Sequence, residues 1–188
     1  MTIRLRDFVL GTLAGTVVLV VWGMVFWAWL ADPLGVFRAL PNSEAITQLL
    51  VENETATGVY FMPWPRNTSE SFARFVEQHR RGPFYLLSYV REGVDPQSPG
   101  KILLGTLHYA TVALVAVLIL ALARNNRYPH RFAIVVLAGL LGTNFITLAD
   151  PIWFHLPWGH TLGNVLYELA AWVLLAAVVA ALVRPVQR

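Results

Sequence analysis

The chain has 188 residues, 56% of them hydrophobic and only 13% charged, against about 45–50% and about 25% in soluble domains; with a mean hydropathy of +0.56, this excludes an ordinary water-soluble domain. The absence of cysteine excludes disulfides, thiolate metal sites and iron–sulfur clusters. The net charge of +3 comes from basic residues scattered beside apolar segments, not from a run or an aromatic-interleaved stripe, so nucleic acid is not an expected partner.

Phe8 to Leu30 is a nearly unbroken apolar run, long enough for a hydrocarbon core that needs about 20 residues. Arg4 and Arg6 before it resemble the start of a signal peptide. The run is too long for one, however, and Trp29 stands where a cleavage site wants a small residue. An uncleaved first transmembrane helix is therefore expected. Its Gly11 and Gly15 have the small-xxx-small spacing that lets another helix approach closely. Such pairs also arise by chance, and ordinary glycines of a membrane helix are the plainer reading.

Residues 31–101 differ in kind: charged, rich in Pro and Gly, with no spanning segment. Ala45, Ile46, Leu49 and Leu50 repeat at helical spacing behind Asn42 or Ser43 as a cap, with Glu44 in the first turn. Gly58 to Met62 reads as a short strand closed by Pro63 and Pro65. A second helix is predicted from about Ser69, with Phe72, Phe75, Val76 and His79 on one face, stopping near Gly82-Pro83. Phe84 to Val90 reads as a second strand. This α-β-α-β segment is too short to bury a robust core alone. Asn53-Glu54-Thr55 and Asn67-Thr68-Ser69 match glycosylation acceptors, which matter only in a eukaryotic secretory pathway.

Three further apolar segments follow, at 102–123, 132–149 and 161–183. Their short connections make the second and third spans, and the third and fourth, expected antiparallel neighbours. One side of the membrane collects Arg4, Arg6, Arg124, Arg127, Arg131, Arg184 and Arg188 against Asp7 alone. The bias of Lys and Arg in short flanks puts both termini in the cytoplasm. Residues 31–101 and the 150–160 loop are then outside, because long loops cross largely regardless of charge.

Several polar groups lie within the spans. From the helical rise of about 1.5 Å per residue, His108, Asn144 and Glu168 each lie roughly 8–10 Å from the outer end of their spans. Each is on a polar stripe: His108 with Thr111; Thr143, Thr147 and Asp150 beside Asn144; Thr161 and Asn164 with Glu168. A carboxylate facing lipid costs at least about 2.5–3.5 kcal/mol on insertion scales, so the stripes are expected to face one another. His108, Asn144, Asn164 and Glu168 then form an intramembrane polar cluster beneath an outer mouth of Asp150, His155 and His160.

Three readings fit this cluster. Its members hydrogen-bond to one another and hold the helices in register. Or Glu168, protonated or paired with His108, forms a proton-active or small-molecule pocket open to the outside. Or His108, His155, His160, Asp150 and Glu168 bind zinc or copper, although His155 and His160 lack the spacing of a helical ligand pair. No cofactor is expected, and metal is the weakest of the three. Trp22, Trp27, Trp29, Trp153 and Trp158 read as an interfacial belt, Trp172 as packing. No nucleophile elbow, Walker loop, HExxH or dinucleotide fingerprint occurs.

The residues Leu40-Pro41-Asn42-Ser43-Glu44-Ala45, Gly58-Val59-Tyr60 with Pro63, Gly82-Pro83, Trp153 and the span from Thr161-Leu162 to Trp172 resemble a family of small bacterial inner-membrane proteins. That resemblance implies four spans, one extracytoplasmic segment and an acidic residue in the last helix, which Glu168 supplies. It implies no activity.

The expected fold is all-α: a four-helix transmembrane bundle (1–30 and 102–188) with a small α+β extracytoplasmic insertion at 31–101. The expected location is a bacterial inner membrane with both termini cytoplasmic. Two functions remain open. One is an accessory protein whose periplasmic cap binds another membrane or periplasmic protein. The other is a small membrane enzyme or carrier using Glu168 and His108; an enzyme is the less expected of the two.

Overall fold

The structure, a computed structural model, describes residues 3–64, 69–123, 125 and 127–184; Arg124, Arg188, Pro65 and the acceptor-like Asn67 lie outside them. The elements in chain order are α1 (Leu5–Val25) with a π-helical turn (Phe26–Leu30), α2 (Ser43–Glu52), β1 (Gly58–Met62), α3 (Ser69–Arg81) and β2 (Tyr85–Tyr89). Then come α4 (Pro99–Ala123), α5 (Tyr128–Phe145), the short α6 (Ala149–Trp153) and α7 (Trp158–Leu182). Four helical segments are long and apolar enough to cross a membrane: Leu5–Leu30, Pro99–Ala123, Tyr128–Trp153 and Trp158–Leu182. The protein is therefore a mostly helical, multi-pass membrane protein.

The chain forms two compact units, Met1–Arg38 with Gln97–Arg188, and Ala39–Pro96. Residues 31–38 go with the helices because Ala31 and Val36 are buried there. Each span extends beyond its apolar run, since backbone N–H and C=O groups stay paired in a helix until water is available. Pro129 opens α5, a position where its missing N–H costs nothing. The third span breaks after Phe145 because Pro151 has no N–H for the carbonyl of Thr147 and its ring crowds that carbonyl. Across the break Leu148 N–H shares Thr143 O (3.1 Å) with the regular helical bond from Thr147 N–H (3.0 Å), and Ala149 N–H donates to Ile146 O at 3.2 Å.

Within the helical unit α1 packs along both α4 and α7, and α7 along α5. The second and third spans, expected as close neighbours, touch only lightly. A short link brings two helix ends together but leaves their faces free to choose other partners. The choice is made by small residues. Gly11, Gly15, Leu19 and Gly23 form one buried edge of α1. A Cβ on Gly15 would lie 2.9 Å from both Ala113 Cβ and Leu175 Cδ1, so these glycines set the contact with α4 and α7 and are not incidental. On α5 the buried ridge is Arg131, Val135, Gly139 and Thr143, continued by Thr147. The Trp172 indole lies directly over Gly139.

The 39–96 unit is a two-stranded antiparallel sheet with two helices. Its register pairs Gly58 with Tyr89, Tyr60 with Leu87 and Met62 with Tyr85. Asn42 stands at the N-cap of α2 in the left-handed region (φ 54°) with no side-chain bond to the helix. Its backbone carbonyl accepts from Ala45 and Ile46 instead. Aromatic edges link α3 to the sheet: Phe75 with His79 (5.2 Å), His79 with Phe84 (5.3 Å) and Phe84 with Phe61 (4.9 Å). Pro63 is the one buried residue among those described in this unit. A fragment this small cannot close a core.

Candidate functional site

The polar residues of the spans gather around α7. Glu168 is half-buried, and its Oε1 accepts from the hydroxyl of Thr147 at 2.6 Å. That distance suits a hydroxyl donating to a carboxylate oxygen. Thr147 reaches α7 at this level because it continues the buried ridge of α5, four residues beyond Thr143. One residue earlier, Tyr167 faces α1 and α4. Its hydroxyl shares a 2.7 Å hydrogen bond with Tyr109 of α4, and its carbonyl accepts from the Trp22 indole N–H at 3.0 Å. Trp22 stacks on the Tyr167 ring (6.4 Å, 10°), with Phe26 at 4.9 Å and Trp27 at 5.4 Å. The π-helical turn brings Phe26 fully inside. Gly23 leaves the space Tyr109 needs, since a Cβ there would lie 2.7 Å from its hydroxyl oxygen.

Above this layer the strap after α1 is tied to α7. His160 Nδ1 lies 2.7 Å from the carbonyl oxygen of Val36. A carbonyl only accepts, so Nδ1 carries the proton. Nε2 is then free to accept from Asn164 Nδ2, 3.0 Å away. Val36 inserts against Gly163, where a Cβ would lie 2.5 Å from its Cγ2.

The expected cluster is thus only partly assembled. Asn164 and His160 meet, and Glu168 has a partner, but it is Thr147. His108 lies on an exposed face of α4 with its ring tilted against Tyr109. Asn144 is exposed on α5. It borders a groove of about 440 Å³ between α5 and α7, lined by Leu137, Leu140, Leu141, Thr143, Leu148, Val165 and Leu169. His155 is exposed in the left-handed region (φ 56°), and Asp150 is half-buried at the start of α6. Trp22, expected in the interfacial belt, turns inward because its N–H finds the carbonyl of Tyr167.

No family model, curated protein or solved structure matches this chain.

What the site can do is decided by its own atoms. Among the described residues, no three His, Asp or Glu side chains converge to hold a metal ion; His108, His155, His160 and Glu168 do not form one donor set. Thr147 with Glu168, and Tyr109 with Tyr167, instead pair one span with another. Two buried hydroxyls, Thr143 Oγ1 and Thr161 Oγ1, have no partner among the described residues.

Arg131 is the residue that sequence reasoning treated only as a cytoplasmic charge. It is 3% exposed. Its Nε and Nη2 donate to the carbonyl of Ala180 at 3.0 and 2.8 Å, and Nη1 donates to Asn125 O at 3.3 Å. The guanidinium thereby meets the last turn of α7, where carbonyls are unpaired and the helix dipole is negative. The signal was present: Pro129 starts the helix before Arg131, which places this arginine four residues from Val135 on the buried ridge.

Proposed function

We propose that this chain is a non-enzymatic accessory protein of a bacterial cytoplasmic membrane. Four helices anchor it with both termini in the cytoplasm. The 39–96 unit is held on the opposite side as a surface for another membrane or periplasmic protein. One observation carries this reading: the unit has regular secondary structure but almost no interior, and leaves Val59 (70% exposed), Trp64 (71%) and Phe72 (60%) open. Large apolar side chains displayed on sheet, loop and helix are what a partner covers. The orientation rests on the arginines flanking the helix ends.

The helical bundle supports the same reading. Three of its polar contacts join one span to another, Thr147 to Glu168, Tyr109 to Tyr167 and Trp22 to the Tyr167 carbonyl, which is the register role. A small membrane enzyme or carrier with a proton-active or metal-binding pocket at Glu168 and His108 draws less support, because these two side chains face different surroundings.

The test places a photo-activatable residue at position 59, 64 or 72 in native membranes. A discrete adduct with one protein is expected, and none from exposed position 53, at the C-cap of α2. Equal adducts at all four positions would sink the docking reading. Glu168→Gln, which retains an acceptor for Thr147, should leave abundance and adduct unchanged; a lost cellular phenotype at normal abundance would instead point to the ionisable pocket.

A further inference from the structure

Two polar side chains of the spans look outward at the same level. His108 is exposed on α4, and Asn144 is exposed on α5. Each lies roughly nine residues, or about 13 Å along the helix, from the same end of its span, Pro99 in one case and Trp153 in the other. Neither makes a hydrogen bond within the described residues. Imidazole and carboxamide groups at this depth are poorly solvated by acyl chains and find partners on other helices.

The faces that carry them are shaped to meet. On α4 the exposed positions Leu104, His108, Thr111, Val115 and Leu118 repeat at alternating steps of four and three, the spacing of a helix-packing seam. On α5, Leu137, Leu140 and Asn144 line the groove toward α7. Its floor carries Thr143, 4% exposed, whose hydroxyl has no partner. The groove is therefore lined by a residue whose buried hydroxyl has no partner among the described residues.

We propose that this groove is completed by a second copy of the chain: α4 of one copy lies along the α5–α7 groove of its neighbour, with His108 hydrogen-bonded to Asn144 of the neighbouring copy. The occupant is a second copy because this chain supplies both halves at matched depth. Copies inserted in the same orientation bring the two levels together without adjustment, and α4 and α5 run in opposite directions, so the contact is antiparallel. Asn144 has both an acceptor oxygen and an N–H donor and so pairs with either tautomer of His108. The contact joins unlike faces, head to tail, and closes as a ring when the rotation between copies permits.

The cysteine-free sequence allows a direct test. Two differently tagged copies, one Thr111→Cys and one Leu140→Cys, are expressed together and oxidised in native membranes. With position 108 opposite 144, positions 111 and 140 lie one turn further in and opposite each other. A disulfide between the two tags is expected. His108→Leu or Asn144→Leu should lower its yield roughly three- to fifteen-fold, the size of one interhelical hydrogen bond in lipid. Thr111→Cys paired with Ala133→Cys, about two turns out of level, should give none. Abundance and thermal stability of each copy report that the variants fold. The proposal is overturned by no 111–140 disulfide between folded copies, by equal yield from the 111–133 pair, or by a yield that Asn144→Leu leaves unchanged. Adducts formed only with a different protein also overturn it.

Discussion

At the end of the bundle that holds Gly11, Val117, Leu175 and Val183, the helices meet through glycine, alanine and branched aliphatic side chains. At the end that holds Trp22, Tyr109, Tyr167 and Glu168, they meet through rings and hydrogen bonds. Lipid offers no hydrophobic drive for one helix to leave it for another, so close packing and polar pairing are the two means available. The first is disturbed by added volume, and the second by removing one partner of a pair. Arg131 is the exception at the close-packed end, a buried cation that satisfies the carbonyl of Ala180.

The contrast breaks first at Gly15. Gly15→Leu forces side-chain atoms into Ala113 and Leu175 and is expected to cost about 3 kcal/mol, the upper part of the usual overpacking range. Thermal unfolding in detergent measures this, and an unshifted transition would show that the glycine edge does not set the packing. Arg131→Met should cost about 2 kcal/mol, because charged hydrogen bonds to two carbonyls are lost. Arg131→Lys should recover little of it, since an ammonium cannot reproduce the planar fork; the same unfolding measurement applies.

At the aromatic end, Tyr109→Phe and Tyr167→Phe should each cost about 1 kcal/mol, because each leaves the other hydroxyl without its partner. The double variant should cost less than the two singles together, and a double-mutant cycle reads the coupling. Strict additivity would mean that the 2.7 Å pair does not act as a unit.

The smallest effect belongs to the 39–96 unit, which has neither kind of closure. Glu92 is held below the ordinary carboxylate range, first by the Thr57 hydroxyl at 2.7 Å and then by its own backbone N–H, with Arg91 adding to both and slight burial opposing. A depressed carboxylate stabilises the fold above its unfolded pKa of about 4.3 and loses that contribution as pH falls through the folded value. Thr57→Val should move the titration of Glu92 back up, as followed by carbon-detected NMR of its carboxyl group. A curve that does not move would assign the shift to the backbone instead.

The four spans and the order of helices and strands in 39–96 were legible because both rest on local rules. A run of about 20 apolar residues must form a helix in lipid, and the 3.6- and 2-residue periods distinguish Ser69–Arg81 from Tyr85–Tyr89. The polar cluster was less legible. Placing His108 rather than Tyr109 inside α4 is an error of one residue, which is about 100° around the helix. The assumption that polar stripes face inward missed that Ala113, Ala116 and Val117 select the packed face and carry Tyr109 with it.

By itself, then, the amino-acid sequence determined that this chain has four helices long and apolar enough to cross a membrane, about where each lies, and which residues between the first and second form helix or strand. Backbone hydrogen bonding and hydrophobic period act over a few residues, so these features need no knowledge of the rest of the chain. Only the tertiary structure decided which helices touch, which side of each one is inside, and that Glu168 bonds to Thr147 while His108 and Asn144 look outward. Helix pairing and rotation depend on the fit of glycines and rings that are far apart in the chain: Gly23 with Tyr109, Gly139 with Trp172 and Gly163 with Val36.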